Sequence, residues 1–243
     1  MFFRKTLTSL KVLNVLCDDD DPSKFGIDLP NLKNLTEDVT SAQIWYTVPN
    51  HSNLESMILI GDTFTNNTLP DSFPKLKSVF ACSMSEYNLV SFLSLCDESI
   101  ECLAVSTSKK RSFWERNRFI RMENLTELYL GHDSLSEQAL DDLLNKNCNN
   151  LQFILFQFYG EKDIDVLKDI SVKMMKVHTV VVSMLSIDED KIRELIGRIC
   201  PNARLLIGDR RSESHVVRES MAARFKLLKY HQEFQSMFMT YFG

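Results

Sequence analysis

Apolar residues recur along this chain at offsets 0, +3 and +5 from a moving start. The triplets read Leu10, Leu13, Val15; Leu54, Met57, Leu59; Leu76, Val79, Ala81; and Ile100, Leu103, Val105. They continue as Leu125, Leu128, Leu130; Leu151, Ile154, Phe156; and Val177, Val180, Val182. A weaker copy starts at Leu32 with Leu35 but has Glu37 at the third place, and another starts at Ala203 with Leu206 and Gly208. The starts at 10, 32, 54, 76, 100, 125, 151, 177 and 203 are separated by steps of 22, 22, 22, 24, 25, 26, 26 and 26 residues. Such regularity marks a repeat architecture of about nine units, from near Leu10 to near Asp209. Side chains alternate across a strand, so the +3 and +5 positions share one face of a short strand. A strand this short cannot bury that face alone. Stacking the units edge to edge builds a parallel sheet with one continuous apolar ladder.

Between the strands the spacing changes to that of helices. Leu89, Phe92 and Leu93; Leu140, Leu143 and Leu144; and Ile192, Leu195, Ile196 and Ile199 fall on i, i+3, i+4, i+7 faces, with Ile164 and Leu167 taking this part in the seventh unit. Ser136 and Asp188 stand where helix N-caps belong. The first three steps are too short for a full helix, which predicts turns or short 3₁₀ segments around Pro22, Pro49 and Pro70. The expected architecture is α/β: a solenoid with its parallel sheet on the concave side and helices or turns on the convex side. The repeats account for residues 1–210 and a C-terminal helical cap or tail for 211–243.

These residues resemble the cysteine-containing class of leucine-rich repeats found in F-box/leucine-rich-repeat proteins. The class pattern places a cysteine, usually followed by Pro-Asn, just ahead of the first leucine. Cys200-Pro201-Asn202-Ala203 and Cys148-Asn149-Asn150-Leu151 match it, and Cys96 stands four residues ahead of Ile100. Leu135 to Leu143 and Ile187 to Leu195 are similar to the stretch that leads into the helix of this class. The resemblance covers about residues 7–209 and is strongest from 120 to 208. It implies substrate recognition for a Skp–cullin (SCF-type) ubiquitin ligase, with Skp and cullin subunits as partners. Repeats that begin near residue 10 leave no room ahead of them for the helical F-box itself, so a free-standing scaffold or inhibitor is the alternative.

On the concave face the +2, +4 and +6 positions point outward. There the chain carries Ile58 and Ile60, Phe80, Tyr129, Phe153 and Leu155, Val181 and Ile207, the candidate partner-binding residues. A solvated sheet face should not be this apolar. Either the row binds a partner protein through aromatic anchors, or the chain's own tail covers it. Ser212 to Tyr230 has an amphipathic helical pattern through Val216, Val217, Met221, Phe225 and Leu228, followed by Phe234, Met237, Phe238, Met239, Tyr241 and Phe242. Capping the last repeat is the default for such a tail; folding back over the concave face is the alternative.

Composition narrows the functional classes. At 44% hydrophobic and 10% aromatic residues the chain can bury a core. A net charge of −5 argues against a general nucleic-acid binder. No apolar run reaches the length of a membrane span. Six scattered cysteines without a CxxC pair suit a reducing compartment, the cytoplasm or the nucleus, and no zinc site. Asp18 to Asp21 lacks the spacing of a calcium loop. The basic, aromatic stretch 109–121 reads as an outer helix or as a patch for an acidic partner. His132-Asp133-Ser134 has the residue types of a triad but not its geometry, and no catalytic or phosphate-binding motif occurs. The expectation is a non-enzymatic protein-binding module without cofactor or metal.

Overall fold

A computed structural model of the chain describes residues 8–12, 31–38, 53–61, 72–96, 99–107, 121–131, 137–147, 149–158, 164–184 and 188–209. Among these residues nine strands form one sheet: β1 (Ser9–Val12), β2 (Asn34–Asp38), β3 (Ser56–Ile60), β4 (Ser78–Met84), β5 (Cys102–Thr107), β6 (Glu127–Leu130), β7 (Phe153–Phe158), β8 (Thr179–Met184) and β9 (Arg204–Asp209). Spatial order equals chain order, and every pair described is parallel. A parallel step requires the chain to cross back over the sheet. Three of these returns carry helices: α1 (Glu86–Leu93), α2 (Glu137–Asn147) and α3 (Glu189–Ile199).

The pairing produces the ladder that the triplets predict. One row runs Leu35, Met57, Val79, Leu103, Leu128, Ile154, Val180; the next runs Leu59, Ala81, Val105, Leu130, Phe156, Val182. All of these are buried. Backbone bonds lock the register. The carbonyls of Thr8, Lys33, Glu55, Lys77, Glu101, Thr126 and Gln152 each accept two N–H groups from the following unit, as Lys77 does from Glu101 (2.8 Å) and Cys102 (3.0 Å).

The helical faces close the ladder from outside. Leu89, Phe92 and Leu93 of α1, Leu140, Leu143 and Leu144 of α2, and Ile192, Leu195, Ile196 and Ile199 of α3 join the same core. Ile164 and Leu167 are buried there too, where residues 164–165 are helical and a turn follows. Asp188 caps α3 by accepting the N–H groups of Asp190 (2.9 Å) and Lys191 (3.4 Å), and Ser85 caps α1 by accepting that of Asn88 (3.3 Å). The expected cap Ser136, the turns at Pro22, Pro49 and Pro70, and the tail from 211 lie outside the described residues.

Two units depart from the register read from sequence. Leu10 pairs with Leu35, so it holds the +3 place and the first unit starts three residues earlier, at residue 7. At the other end Val180 pairs with Leu205 and Val181 with Leu206. Ala203 still makes the turn, its N–H bonding the Cys200 carbonyl at 3.1 Å as Leu125 bonds Met122 at 3.0 Å. The strand then begins one residue sooner than in the other units. Because side chains alternate, a slip of one residue exchanges the faces. Leu205 and Ile207 pack against the ladder, and Leu206 faces the opposite side. Ile207 is therefore not a concave residue.

The ends of β3 and β4 share a further device. Gly61 and Ser83, 22 residues apart, both have positive φ, 105° and 57°. Ser83 is the bulged residue between Cys82, which pairs with Ser106, and Met84, which pairs with Thr107. Left-handed backbone disfavours β-branched side chains. Ser83→Val is expected to lower stability by about 1–2 kcal/mol in denaturant unfolding, with Ser83→Gly at or near the parent value.

Candidate functional site: the second face of the sheet

Alternation leaves the side chains between the ladder positions on the other face. Ile58, Phe80, Cys82, Cys102, Ala104, Tyr129, Phe153, Leu155 and Val181 form a second cluster there, separate from the ladder core, with Ile60 and Leu206 packed against it. Of the residues predicted from sequence, Ile58, Ile60, Phe80, Tyr129, Phe153, Leu155 and Val181 are brought together. Ile207 is not, and Leu206 takes its place. At its centre the Tyr129 and Phe153 rings lie 5.3 Å apart and tilted by 44°, a favourable aromatic arrangement. The Tyr129 hydroxyl donates to Glu127 Oε2 at 2.7 Å.

The strip is buried, where the sequence reading left open whether a partner protein or the chain's own tail meets it. Ile58, Phe80, Phe153, Leu155 and Val181 are 0% exposed and Tyr129 1%. A signal for this stands in the sequence. Sheets buried on both faces have near-continuous apolar strands, and Phe153-Ile-Leu-Phe-Gln-Phe158 is such a run, buried at all six places. Polar groups share the burial. Gln157 and Ser183, register partners in β7 and β8, are 3% and 6% exposed. The Gln157 Nε2 has no hydrogen-bond partner among the described residues.

A charged row borders the strip at the strand entries, and the sequence reading missed it. Lys33, Glu55, Lys77 and Glu101 hold the same place in successive units, with Lys33–Glu55 at 2.8 Å and Lys77–Glu101 at 2.9 Å. The Glu101 hydrogen bond and charge, and then Glu55, hold the Lys77 ammonium above the usual lysine value. All four are solvent-exposed, so the pairs add little stability. Their alternating signs leave no single-sign field along this edge. A same-place comparison across units was the available signal.

The cysteine and asparagine positions behind the family resemblance take structural parts. Cys96 and Cys200 are buried in the ladder core where a helix returns to a strand. Burial pushes the Cys200 thiol up to about 12 and the Cys102 thiol, under the concave strip, well above its ordinary value. Asn202 Nδ2 donates to the Met175 carbonyl at 3.1 Å, and Asn150 Nδ2 donates to that of Glu123. Each side chain thus ties its turn to the turn of the preceding unit. Buried Asn147 does the same from the end of α2, its Oδ1 accepting the Met122 N–H at 2.6 Å. Of the other candidates, Arg121 pairs with Glu123 at 3.3 Å and His178 is exposed beside Thr179. Asp18 to Asp21, residues 109–120 and His132 to Ser134 lie outside the described residues. Among the described residues no group of three His, Cys, Asp or Glu side chains could hold a metal, and no helix is long and apolar enough to cross a membrane.

Nine parallel strands in chain order, one ladder and helices on one face define a leucine-rich-repeat solenoid. The crystal structure of internalin C2 from Listeria monocytogenes is similar at 15% identity and a TM-score of 0.30, over 86% of this chain and 76% of that one. No protein-family model matches the chain, and no curated protein matches it.

Phe80→Ala is expected to cost about 3–5 kcal/mol in denaturant unfolding; a change near zero would mean that the strip is open to water. Cys200 gives a pH signature. Its thiol is protonated in both states below the ordinary value of 9.0. Between there and about 12 the unfolded chain alone ionises, so this group's contribution to stability is lost as pH rises through that window. Cys200→Ala should therefore lose less stability than the parent between about pH 8 and pH 10.5, read from denaturant midpoints at each pH.

Proposed function

We propose that this chain is a non-enzymatic protein-interaction module whose recognition surface is the apolar strip on the concave face. The observation that carries this reading is the strip itself. The ladder core already holds the repeats together, yet a second set of aromatic and aliphatic side chains stands on the opposite face. Tyr129, Phe153 and Phe80 are the residue types that anchor protein interfaces.

The finer reading is substrate recognition for an SCF-type ubiquitin ligase in the cytoplasm or nucleus. Its support is the cysteine-type repeat, with Cys96 and Cys200 buried at equivalent returns and Asn150 and Asn202 bonded to the turn before. The thiols of Cys102 and Cys200, shielded by burial, suit a reducing compartment. A free-standing scaffold or inhibitor using the same strip is the second reading, since the strip itself carries no feature specific to a ligase.

The test is affinity purification of the tagged full chain from cells beside Ile60→Asp, a change at the half-buried end of the strip. Capture of the partner should fall about tenfold or more with an unchanged melting temperature. Equal capture by both proteins overturns the mapping. Skp and cullin subunits among the captured proteins support the ligase reading, and a partner bound without them supports the scaffold.

A further inference from the structure

We propose that the strand-entry rim of the seventh to ninth units is a second recognition surface, which takes an acidic segment of a partner protein around an exposed apolar side chain. It goes beyond the reading above, because no residue of it belongs to the apolar strip.

The rim changes character along the sheet. From the second unit to the fifth, the same place carries Lys33, Glu55, Lys77 and Glu101, which neutralise one another in pairs. The sixth to ninth units carry Thr126, Gln152, His178 and Arg204 there, with no acid among them. Lys173 and Lys176 stand in the segment that leads into His178. Gln152, Lys173, Lys176, His178 and Arg204 are all exposed. Among the described residues no carboxylate pairs with any of these cations. The other basic side chains described in these units are engaged. Lys168 and Lys191 meet Asp165, Arg193 meets Glu189, and Arg198 donates to the Leu167 and Lys168 carbonyls. Positive charge is thus matched on the convex side and unmatched at the rim.

The cluster is held in place. The Arg204 N–H bonds the His178 carbonyl at 3.0 Å, and Asn202 Nδ2 bonds the Met175 carbonyl at 3.1 Å. The eighth and ninth units therefore present their rims together. Lys176 Nζ donates to Asn150 Oδ1 at 3.4 Å, a neutral partner that leaves its charge uncompensated. In the middle stands Met175, 55% exposed although its neighbour Met174 is fully buried. Methionine and arginine are enriched where proteins meet, and a thioether adapts its shape to what it touches.

Charge complementarity selects the occupant. The chain carries a net charge of −5, so this rim stands against the sign of the whole and draws an acidic partner to one end of the solenoid. Three full charges and a histidine fall short of the basic track that a phosphate backbone requires. Met175 and Gln152 add an apolar contact and neutral hydrogen bonding, which suit a polypeptide.

The probe is a fluorescein-labelled peptide of glutamates with a leucine at its centre, bound to the full chain and followed by fluorescence anisotropy at low salt. Lys176→Ala with Arg204→Ala should weaken binding about tenfold or more. Lys33→Ala with Lys77→Ala removes the same two charges at the other end of the rim and should bind as the parent does. Equal weakening by both pairs overturns the proposal, because net charge alone would then be acting. A parent that does not bind the peptide also overturns it. Met175→Asp should weaken binding as well, with an unchanged melting temperature; unchanged binding removes the apolar contact from the proposal. Tighter binding of a single-stranded oligonucleotide or of phosphatidylserine vesicles than of the peptide overturns the choice of a protein partner. Ile60→Asp should bind the peptide like the parent, so failure at the strip and failure at the rim are read separately.

Discussion

Register is the constraint on which the rest of this molecule depends. Each strand is too short to hold its place by its own pairing, and its side chains change face at every residue. What holds the strands is a backbone carbonyl at the entry to most units that receives two N–H groups from the next. Side chains add to the same alignment. Asn150, Asn202 and Asn147 reach from one turn to the turn before, and the Lys33, Glu55, Lys77, Glu101 row places opposite charges side by side. Once aligned, Leu128 finds Leu103 on one side and Ile154 on the other, and the ladder continues through the sheet.

The same alignment creates the second face as a by-product. If every +3 and +5 side chain enters the ladder, every +4 side chain must stand in one row opposite. Ile58, Phe80, Ala104, Tyr129, Leu155 and Val181 form that row. A repeat protein that used only its ladder would keep the row polar. Here it is apolar and buried, a second cluster on the face opposite the ladder core.

Buried polar groups show where the packing is settled and where it is not. Asn147 is buried with its amide donating to Leu143 and its carbonyl oxygen accepting from Met122, a finished arrangement within the ladder layer. Gln157 is buried on the other side with its amide unmatched among the described residues. The contrast sets the fully satisfied ladder core apart from the second face.

The repeat, the strand positions, three helical faces and the cap at Asp188 were determined by the sequence alone, because burial with a period of two or of 3.6 leaves its mark directly in residue order. The membership of the concave row was legible for the same reason, from Ile58 to Val181. Tertiary structure decided what residue order does not encode. Leu10 holds the +3 place because Leu35 lies beside it, and a shortened entry to β9 exchanges Ile207 for Leu206 although Ala203 keeps its turn. Whether the concave row meets water or a second layer was likewise undecided, since an apolar side chain reads the same beneath a partner, beneath the chain's own residues or in the open. Only the assembled chain buries it.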